Sequence, residues 1–211
     1  MNAKLVLIAA AAATLASCGG RKELEDGGVY ITRNTCPRVA IPAGTGDITL
    51  FNPTTSKDAS AIDFTASMTN VRAGCTESAD QIISTATFDI VAQRREAGPA
   101  RTVVVPYYDI AMQGGNQVVA KRVGQVALNF AAGQVRASSN GQATIRVSRA
   151  ATSLPEDVRA ILTAKRKAGE ESAAVDPMTI PSVRAAVSRA TFEHLVGFNL
   201  TDEQLRYNVT R

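Results

Sequence analysis

The sequence is poor in the residue types that most often build catalytic and metal sites. Its 211 residues include no tryptophan, a single histidine and three cysteines. A metal site based on Cys36 and Cys75 would lack further ligands, because His194 lies 119 residues beyond Cys75. A general base needs a positioned nucleophile and an orienting group, and no motif places either beside His194. We therefore predict no catalytic residue, no metal and no cofactor, and a structural role for His194.

Long apolar runs and a large net charge are missing as well. The uncharged run from Leu5 to Ser17 has 13 residues, whereas a transmembrane helix needs about 20. The formal net charge is +4 at pH 7, and the basic residues do not gather into one patch. These features argue against a spanning helix and against nucleic acid as a partner.

The start of the chain has the order of a bacterial export signal, which we assign to residues 1–17. Lys4 precedes the apolar run, and small residues precede Cys18. The stretch "LASC" that ends at Cys18 resembles the bacterial lipobox, in which leucine stands three positions before the cysteine. That resemblance implies diacylation of the Cys18 thiol, cleavage before Cys18 and acylation of the new amine. Palmitate-type chains would then hold the protein at a membrane, and a plain signal peptide is the alternative.

Residues 18–28 follow as the lipidated cysteine and a flexible tether with glycines at both ends. The tether "GGRKELEDGG" reaches at most about 35 Å, so the folded part stays close to its membrane. In Gram-negative bacteria an aspartate after the lipidated cysteine tends to retain a lipoprotein in the inner membrane. This sequence has Gly19 there. We therefore predict an outer-membrane location, with the chain lipid-anchored and facing the periplasm.

The two remaining cysteines predict a disulfide. An exported chain meets an oxidising compartment, in which paired thiols normally become bonded. Once Cys18 is lipidated, Cys36 and Cys75 are the thiols that remain. We predict that they are bonded, in neighbouring strands or at a strand end. In the chain-entropy model, closing a loop of about 39 residues contributes roughly 4 kcal/mol.

From Val29 onward, apolar and polar residues alternate in short segments, and 29–211 is interpreted as a single domain. One such segment, "AIDFTASMTNV", places four apolar residues on one face: Ile62, Phe64, Ala66 and Met68. Strict alternation is typical of strands half buried in an antiparallel sheet. Gly-Gly-Asn at 114–116, between two β-rich runs, predicts a hairpin. Eight or so such segments predict an immunoglobulin-like antiparallel β-sandwich.

The segment from about 152 to 190 breaks this period and predicts one or two short helices inserted before the last strand. Ser153 and Glu156 have the spacing of a capping box. Val158, Ile161 and Leu162 then form an apolar stripe at helical spacing. Packing of this helix on the sandwich is the simpler interpretation, and binding to a membrane surface or a partner is the alternative.

The C-terminal stretch "VGFNLTDEQLRYN" predicts a strand followed by a short helical turn. Thr201 and Gln204 again have capping-box spacing. A single turn is not stable alone, so its geometry must come from packing. We therefore predict that Phe198 and Leu205 are both core residues.

Other polar residues in the strands have simpler interpretations than catalysis or metal binding. Asp63, Asp89 and Asp109 alternate with apolar neighbours. A carboxylate pair or a calcium site is conceivable, but we expect charges on the solvent face of a sheet. Tyr107 and Tyr108 are adjacent in one strand and must face opposite sides, so one of them packs in the core.

Three segments resemble landmarks of a family of small alphaproteobacterial outer-membrane lipoproteins, in which a C-terminal VGF-LT-EQL-YN motif recurs. They are "CPRVAI" at 36–41, "GPARTVVVPYYDIAM" at 98–112 and "HLVGFNLTDEQLRYN" at 194–208. This chain has Asn199 where the family tends to have glutamine. The resemblance implies an envelope lipoprotein and supplies no activity and no catalytic residues.

The function that the sequence favours is that of a non-enzymatic cell-envelope lipoprotein. Its sandwich would be a structural or interaction module that contacts another envelope protein at the periplasmic face of the outer membrane. The alternative is a periplasmic small-molecule or lipid-binding lipoprotein, with the pocket between sheet and helix. An enzyme acting on cell-wall or lipid substrates is a third class, and no recognisable site supports it.

Overall fold

The computed structural model describes residues 34–164, 169 and 175–210. These residues belong to two compact units. The larger comprises 34–155 and 185–210, and the smaller comprises 156–164, 169 and 175–184. The predicted signal peptide, the lipidated Cys18, the tether and the first residues of the predicted domain, 29–33, lie outside the described residues.

Eight strands of the larger unit form two four-stranded sheets, in the orders β1-β8-β5-β6 and β2-β3-β4-β7. Their bounds are β1 Arg38–Ala40, β2 Asp47–Phe51, β3 Ile62–Glu77, β4 Gln81–Arg94, β5 Arg101–Gln113, β6 Gln117–Phe130, β7 Arg136–Ser148 and β8 Phe192–Phe198. The predicted mainly β sandwich is thus confirmed. The immunoglobulin-like connectivity is not confirmed, and β1 pairs with β8 in parallel rather than antiparallel.

The core lies between the two sheets and follows the predicted alternation. Inward-facing side chains from both sheets form one buried cluster that includes Phe64, Phe88, Ile90, Val105, Leu128, Phe130, Val196 and Phe198. Ile62 is the exception among the four residues predicted to share a face, because it is partly exposed where β3 begins. Period-two patterning therefore located the buried face of the strands, because each sheet has one face toward the core and one toward water.

Two aromatic rings in the core each pack against a glycine of the neighbouring strand. Phe88 of β4 is in register with Gly141 of β7, and a Cβ atom at Gly141 would lie 2.3 Å from Phe88 Cε2. Tyr107 is in register with Gly124 in the same way, and a Cβ atom there would lie 2.5 Å from Tyr107 Cζ. The two rings meet edge to face, with centroids 5.2 Å apart. Each glycine is therefore needed for the close approach of a ring to the neighbouring strand.

The predicted disulfide is confirmed and links the two sheets. Cys36 stands just before β1 of the first sheet, and Cys75 lies in β3 of the second, with their Cα atoms 6.1 Å apart. The Thr35 hydroxyl also donates to a Glu77 carboxylate oxygen. The segment that leads into β1 is thus fixed to the edge of β3.

Three short α-helices lie between β7 and β8 in the described part of the chain: α1 Arg149–Thr152, α2 Glu156–Thr163 and α3 Pro181–Arg189. Single 3-10 turns occupy Ala59–Ala61 and Pro177–Thr179. The predicted capping box at Ser153 is wrong. Helix α2 begins at Glu156, and Ser153 Oγ instead donates to the Arg149 carbonyl of α1.

The last helix, α4, spans Asp202–Thr210 and begins at the predicted cap. Gln204 Oε1 accepts from the Thr201 backbone amide at 2.9 Å, and Thr201 Oγ1 accepts from the Gln204 backbone amide at 3.2 Å. These reciprocal bonds form the predicted capping box. Phe198, before the cap, is buried as expected.

Leu205 is not a core residue, which corrects the sequence prediction. Its side chain is 37% exposed. The helix has nine residues instead of a single turn, so residues further along it reach β2. Tyr207 meets the Phe51 ring edge to face at 5.1 Å, and Asn208 Nδ2 donates to the carbonyls of Gly44 and Asp47. These contacts fasten the C-terminal helix.

Candidate functional site

A serine and the single histidine meet inside the sandwich. Ser84 lies on the inner face of β4, and His194 lies on the inner face of β8 in the opposite sheet. Ser84 Oγ and His194 Nδ1 are 3.0 Å apart, and both residues are buried. The bond therefore links the two sheets through the core.

Asp109 of β5 adds a carboxylate to this cluster. It is buried, and its Oδ2 accepts from the Thr144 backbone amide of β7 at 3.2 Å. Among the atoms that the structure describes, Asp109 Oδ1 and His194 Nε2 have no hydrogen-bond partner. Burial lowers the pKa of His194, while the nearby negative charge of Asp109 raises it in part. Burial is the larger effect, so His194 is held neutral.

The cluster contains the residue types of a hydrolase triad, but a substrate cannot reach it. Ser84 is 1% exposed and His194 is fully buried, so no substrate reaches the hydroxyl in this conformation. The pairing is also different, since Ser84 meets Nδ1, the atom that the orienting carboxylate holds in the serine protease triad. This arrangement agrees with the structural role that we expected for His194.

Burial of a neutral histidine predicts that the fold loses stability in mild acid. The unfolded chain binds a proton at His194 more readily than the folded chain, so acid favours unfolding. We expect the free energy of unfolding to fall by up to about 1.4 kcal/mol per pH unit as the pH drops below about 6.5. Urea denaturation from about pH 7 to pH 5 measures this slope.

A variant separates this histidine from other titrating groups. His194 is the only histidine in the chain, so His194→Gln should have a nearly flat stability profile over the same pH interval. Ser84→Ala serves as a control, because it removes the hydrogen bond but leaves a buried histidine, and its slope should persist. Equal slopes in the parent chain and His194→Gln would contradict the prediction.

The three strand aspartates lie apart in different settings. Asp63 accepts two bonds from the Arg101 guanidinium, at 2.8 and 2.6 Å, and these bonds lower the pKa of the Asp63 carboxyl. Asp89 accepts from Asn70 Nδ2 at 2.8 Å. Asp109 is buried, so its predicted place on a solvent face is wrong. In the described residues no three histidine, cysteine or acidic side chains gather as metal ligands.

The adjacent tyrosines occupy opposite faces of β5, as predicted. Tyr107 packs on Phe88 in the core, and its hydroxyl donates to the Gln142 carbonyl at 2.9 Å. Tyr108 is buried on the other face, where its hydroxyl donates to Thr45 Oγ1 at 3.1 Å. Burial raises the pKa of both phenols, so neither is a ready proton acceptor or donor near neutral pH.

Open depressions mark the surface of the sandwich. One of about 610 Å³ lies over β3, β4 and β7, and its lining includes Thr65, Ser67, Val91, Gln93, Arg136 and Ser138. Another of about 750 Å³ lies around the β4–β5 loop, with the paired Asp63 and Arg101 in its wall. Both are open to solvent, unlike the enclosed apolar pockets that hold most small ligands.

Among the buried polar residues that sequence reasoning missed are Ser84 and Arg94 of β4. Both continue the inward face of β4, at positions where the alternation calls for an apolar residue. Arg94 is 4% exposed, and its guanidinium donates to four backbone carbonyls. The sequence signal that could have identified them is a polar residue at an inward-facing position of a strand. Such a residue needs a hydrogen-bond partner inside the fold.

The described helices and the comparisons with known proteins add two findings. Across the residues that the structure describes, no helix is long and apolar enough to cross a membrane. No protein-family model matches the chain, and neither does any curated protein or solved structure.

Proposed function

We propose that this protein is a non-enzymatic lipoprotein of the cell envelope, anchored through acylated Cys18. Its sandwich would serve as a structural or interaction module at the periplasmic face of the outer membrane. The observation that carries the proposal is the Cys36–Cys75 disulfide. Disulfides persist in exported proteins, and this one leaves Cys18 as the single remaining cysteine, at the end of a lipobox-like stretch.

The short predicted tether between Cys18 and the folded part supports a position close to the membrane. It comprises ten residues, 19–28. A chain of that length reaches at most about 35 Å and as a random coil spans about 17 Å. The sandwich would therefore act on molecules at or near the surface of the membrane that holds its anchor.

The buried Ser84–His194 pair and the filled core support a role in interaction rather than catalysis. The polar groups most suited to chemistry bond to one another or to backbone inside the fold. What the sandwich offers to other molecules is its outer surface, which carries exposed apolar side chains such as Val104 and Val123. A partner would therefore bind to this outer surface rather than in an enclosed pocket.

Cys18→Ala tests the anchor and should move the protein from the membrane fraction to the soluble fraction. No other stretch of the sequence offers an acylation site of this type, and several acyl chains are needed for durable attachment. Fractionation of cells that express each chain measures the outcome. The Cys36→Ala/Cys75→Ala variant is the matched control, because it also removes cysteines but should remain with the membrane. Retention of Cys18→Ala in the membrane fraction would contradict the proposal.

A further inference from the structure

Three of the four edge strands in the sandwich are covered or shortened. The edge of β2 faces α4, whose Asn208 side chain donates to the carbonyls of Gly44 and Asp47. The edge of β7 is bonded by side chains from the other sheet, since Tyr107 donates to the Gln142 carbonyl and Asp109 accepts from the Thr144 amide. These contacts occupy backbone groups that would otherwise pair with another strand.

The edge of β1 is limited by its length and by the disulfide. This strand has three residues, Arg38–Ala40, and Cys36 beside it is bonded to Cys75. Beyond the end of β2, the exposed half of β3 carries that disulfide, and its Glu77 accepts from Thr35. Short strands and covalent links are devices by which sheets avoid unwanted pairing.

The fourth edge, on β6, is neither short nor covered by another described element over its first half, where a β-bulge at residues 118–120 interrupts the pairing with β5. This strand has 14 residues and pairs with β5 alone in the described structure. Its second half packs beside β7 and buries Val126, Leu128 and Phe130. By contrast, every residue from 117 to 123 is exposed. On either side of the bulge, the backbone amides and carbonyls that do not bond to β5 face away from it and are open to an added strand.

The composition of the open stretch indicates what an added strand would look like. Val118, Val119 and Val123 offer apolar contacts, while Lys121 and Arg122 give the stretch a local charge of plus two. Strand β6 contains no acidic residue. Antiparallel pairing of two copies across this stretch would bring the cations of one copy opposite those of the other, which disfavours self-association.

We propose that residues 117–123 of β6 bind an extended, acidic segment of another protein, which adds as a fifth strand to this sheet. Main-chain bonds along the open edge would supply affinity, and the valines with Lys121 and Arg122 would select apolar and acidic side chains. This inference rests on the proposed role as an envelope interaction module and assigns that role to one edge of the fold.

Photo-crosslinking in living cells tests the edge with the full chain. Benzoylphenylalanine is placed at Val119, which is 46% exposed, or at Val91 of β4, which is 47% exposed, as a matched control. We expect an adduct from Val119 and none from Val91. Mass spectrometry should map the adduct to an extended, acidic segment of another protein.

Reversing the charges of Lys121 and Arg122 provides a second test of the proposal. Lys121→Glu combined with Arg122→Glu should lower the adduct yield by about tenfold or more, because like charges would then face each other across the added strand. Arg146→Glu on the covered edge strand β7 is the control and should leave the yield unchanged. Thermal unfolding of each variant shows that the fold is retained.

The remaining outcomes overturn the proposal. They are an adduct with a second copy of the chain, an adduct with phospholipid alone, equal yields from Val119 and Val91, or no adduct. The crosslink reports protein contact wherever the chain resides. A failure of the Cys18 anchor test would therefore be distinguishable from a failure of this edge.

Discussion

Replacing Arg94 with methionine is expected to lower the free energy of unfolding by about 3–5 kcal/mol. The buried guanidinium donates to Gln134 and Ala131 of the β6–β7 loop and to Gly98 and Pro99 of the β4–β5 loop, at distances from 2.7 to 3.3 Å. Methionine fills a similar volume but has no donor, so these carbonyls lose their partner. Chemical denaturation gives the change in free energy.

The neighbouring arginine is the matched control for this prediction. Arg95 is exposed, and its nearest carboxylate contact is Glu96, at 4.0 Å. Arg95→Met should therefore change the stability by less than about 0.5 kcal/mol. Hydrogen exchange should also accelerate in both loops of Arg94→Met and in neither loop of Arg95→Met. Similar losses in the two variants would show that Arg94 has no special role in fastening these loops.

Loss of the disulfide is the second large effect, expected to cost about 4 kcal/mol in the Cys36→Ala/Cys75→Ala variant. The bond joins residues that are 39 positions apart, so its loss frees a long loop in the unfolded chain. It also releases the segment before β1. Strand β1 has three residues, too few to hold its parallel register on β8 unaided. We therefore expect the amides of β1 to exchange earlier than those of the central strands.

A reductant distinguishes the bond from the side chains that form it. Dithiothreitol should destabilise the parent chain to about the level of the double variant, and it should leave the double variant unchanged. Urea denaturation with and without the reductant measures both. Equal stability of the parent chain with and without dithiothreitol would contradict the stabilising role of the bond.

Local structure was largely predictable because its signals lie within single segments. All but the first residue of the predicted alternating segment "AIDFTASMTNV" lies within β3. Gly-Gly-Asn forms the turn between β5 and β6, and the Thr201–Gln204 cap is present. Alternation, turn residues and caps act over a few positions, so one sequence suffices to recognise them.

The pairing of distant strands was not predictable in the same way. Parallel pairing of β1 with β8 and the meeting of Ser84 with His194 depend on residues 110 or more positions apart. No period in either segment indicates which distant strand it meets. The error at Leu205 has a related cause, since the length of α4 moved the packing contacts to Tyr207 and Asn208.

Edges and buried polar groups also required the folded structure. Asp109 looks like a solvent-facing charge in sequence, and the inward register of Arg94 does not indicate its partners. Each is buried because backbone groups from other strands and loops bind it. Lys121 and Arg122 look equally ordinary until β6 is seen to be an edge strand. The position of a residue relative to a sheet edge is a property of the whole topology.

Intact mass spectrometry of the mature protein, purified without reductant, tests the central claim most directly. We predict a chain that begins at an acylated Cys18 and resists alkylation until it is reduced, after which Cys36 and Cys75 both react. An unmodified Cys18 thiol, or a chain that retains residues 1–17, would contradict the anchor. Alkylation of Cys36 and Cys75 before reduction would contradict the disulfide-linked sandwich.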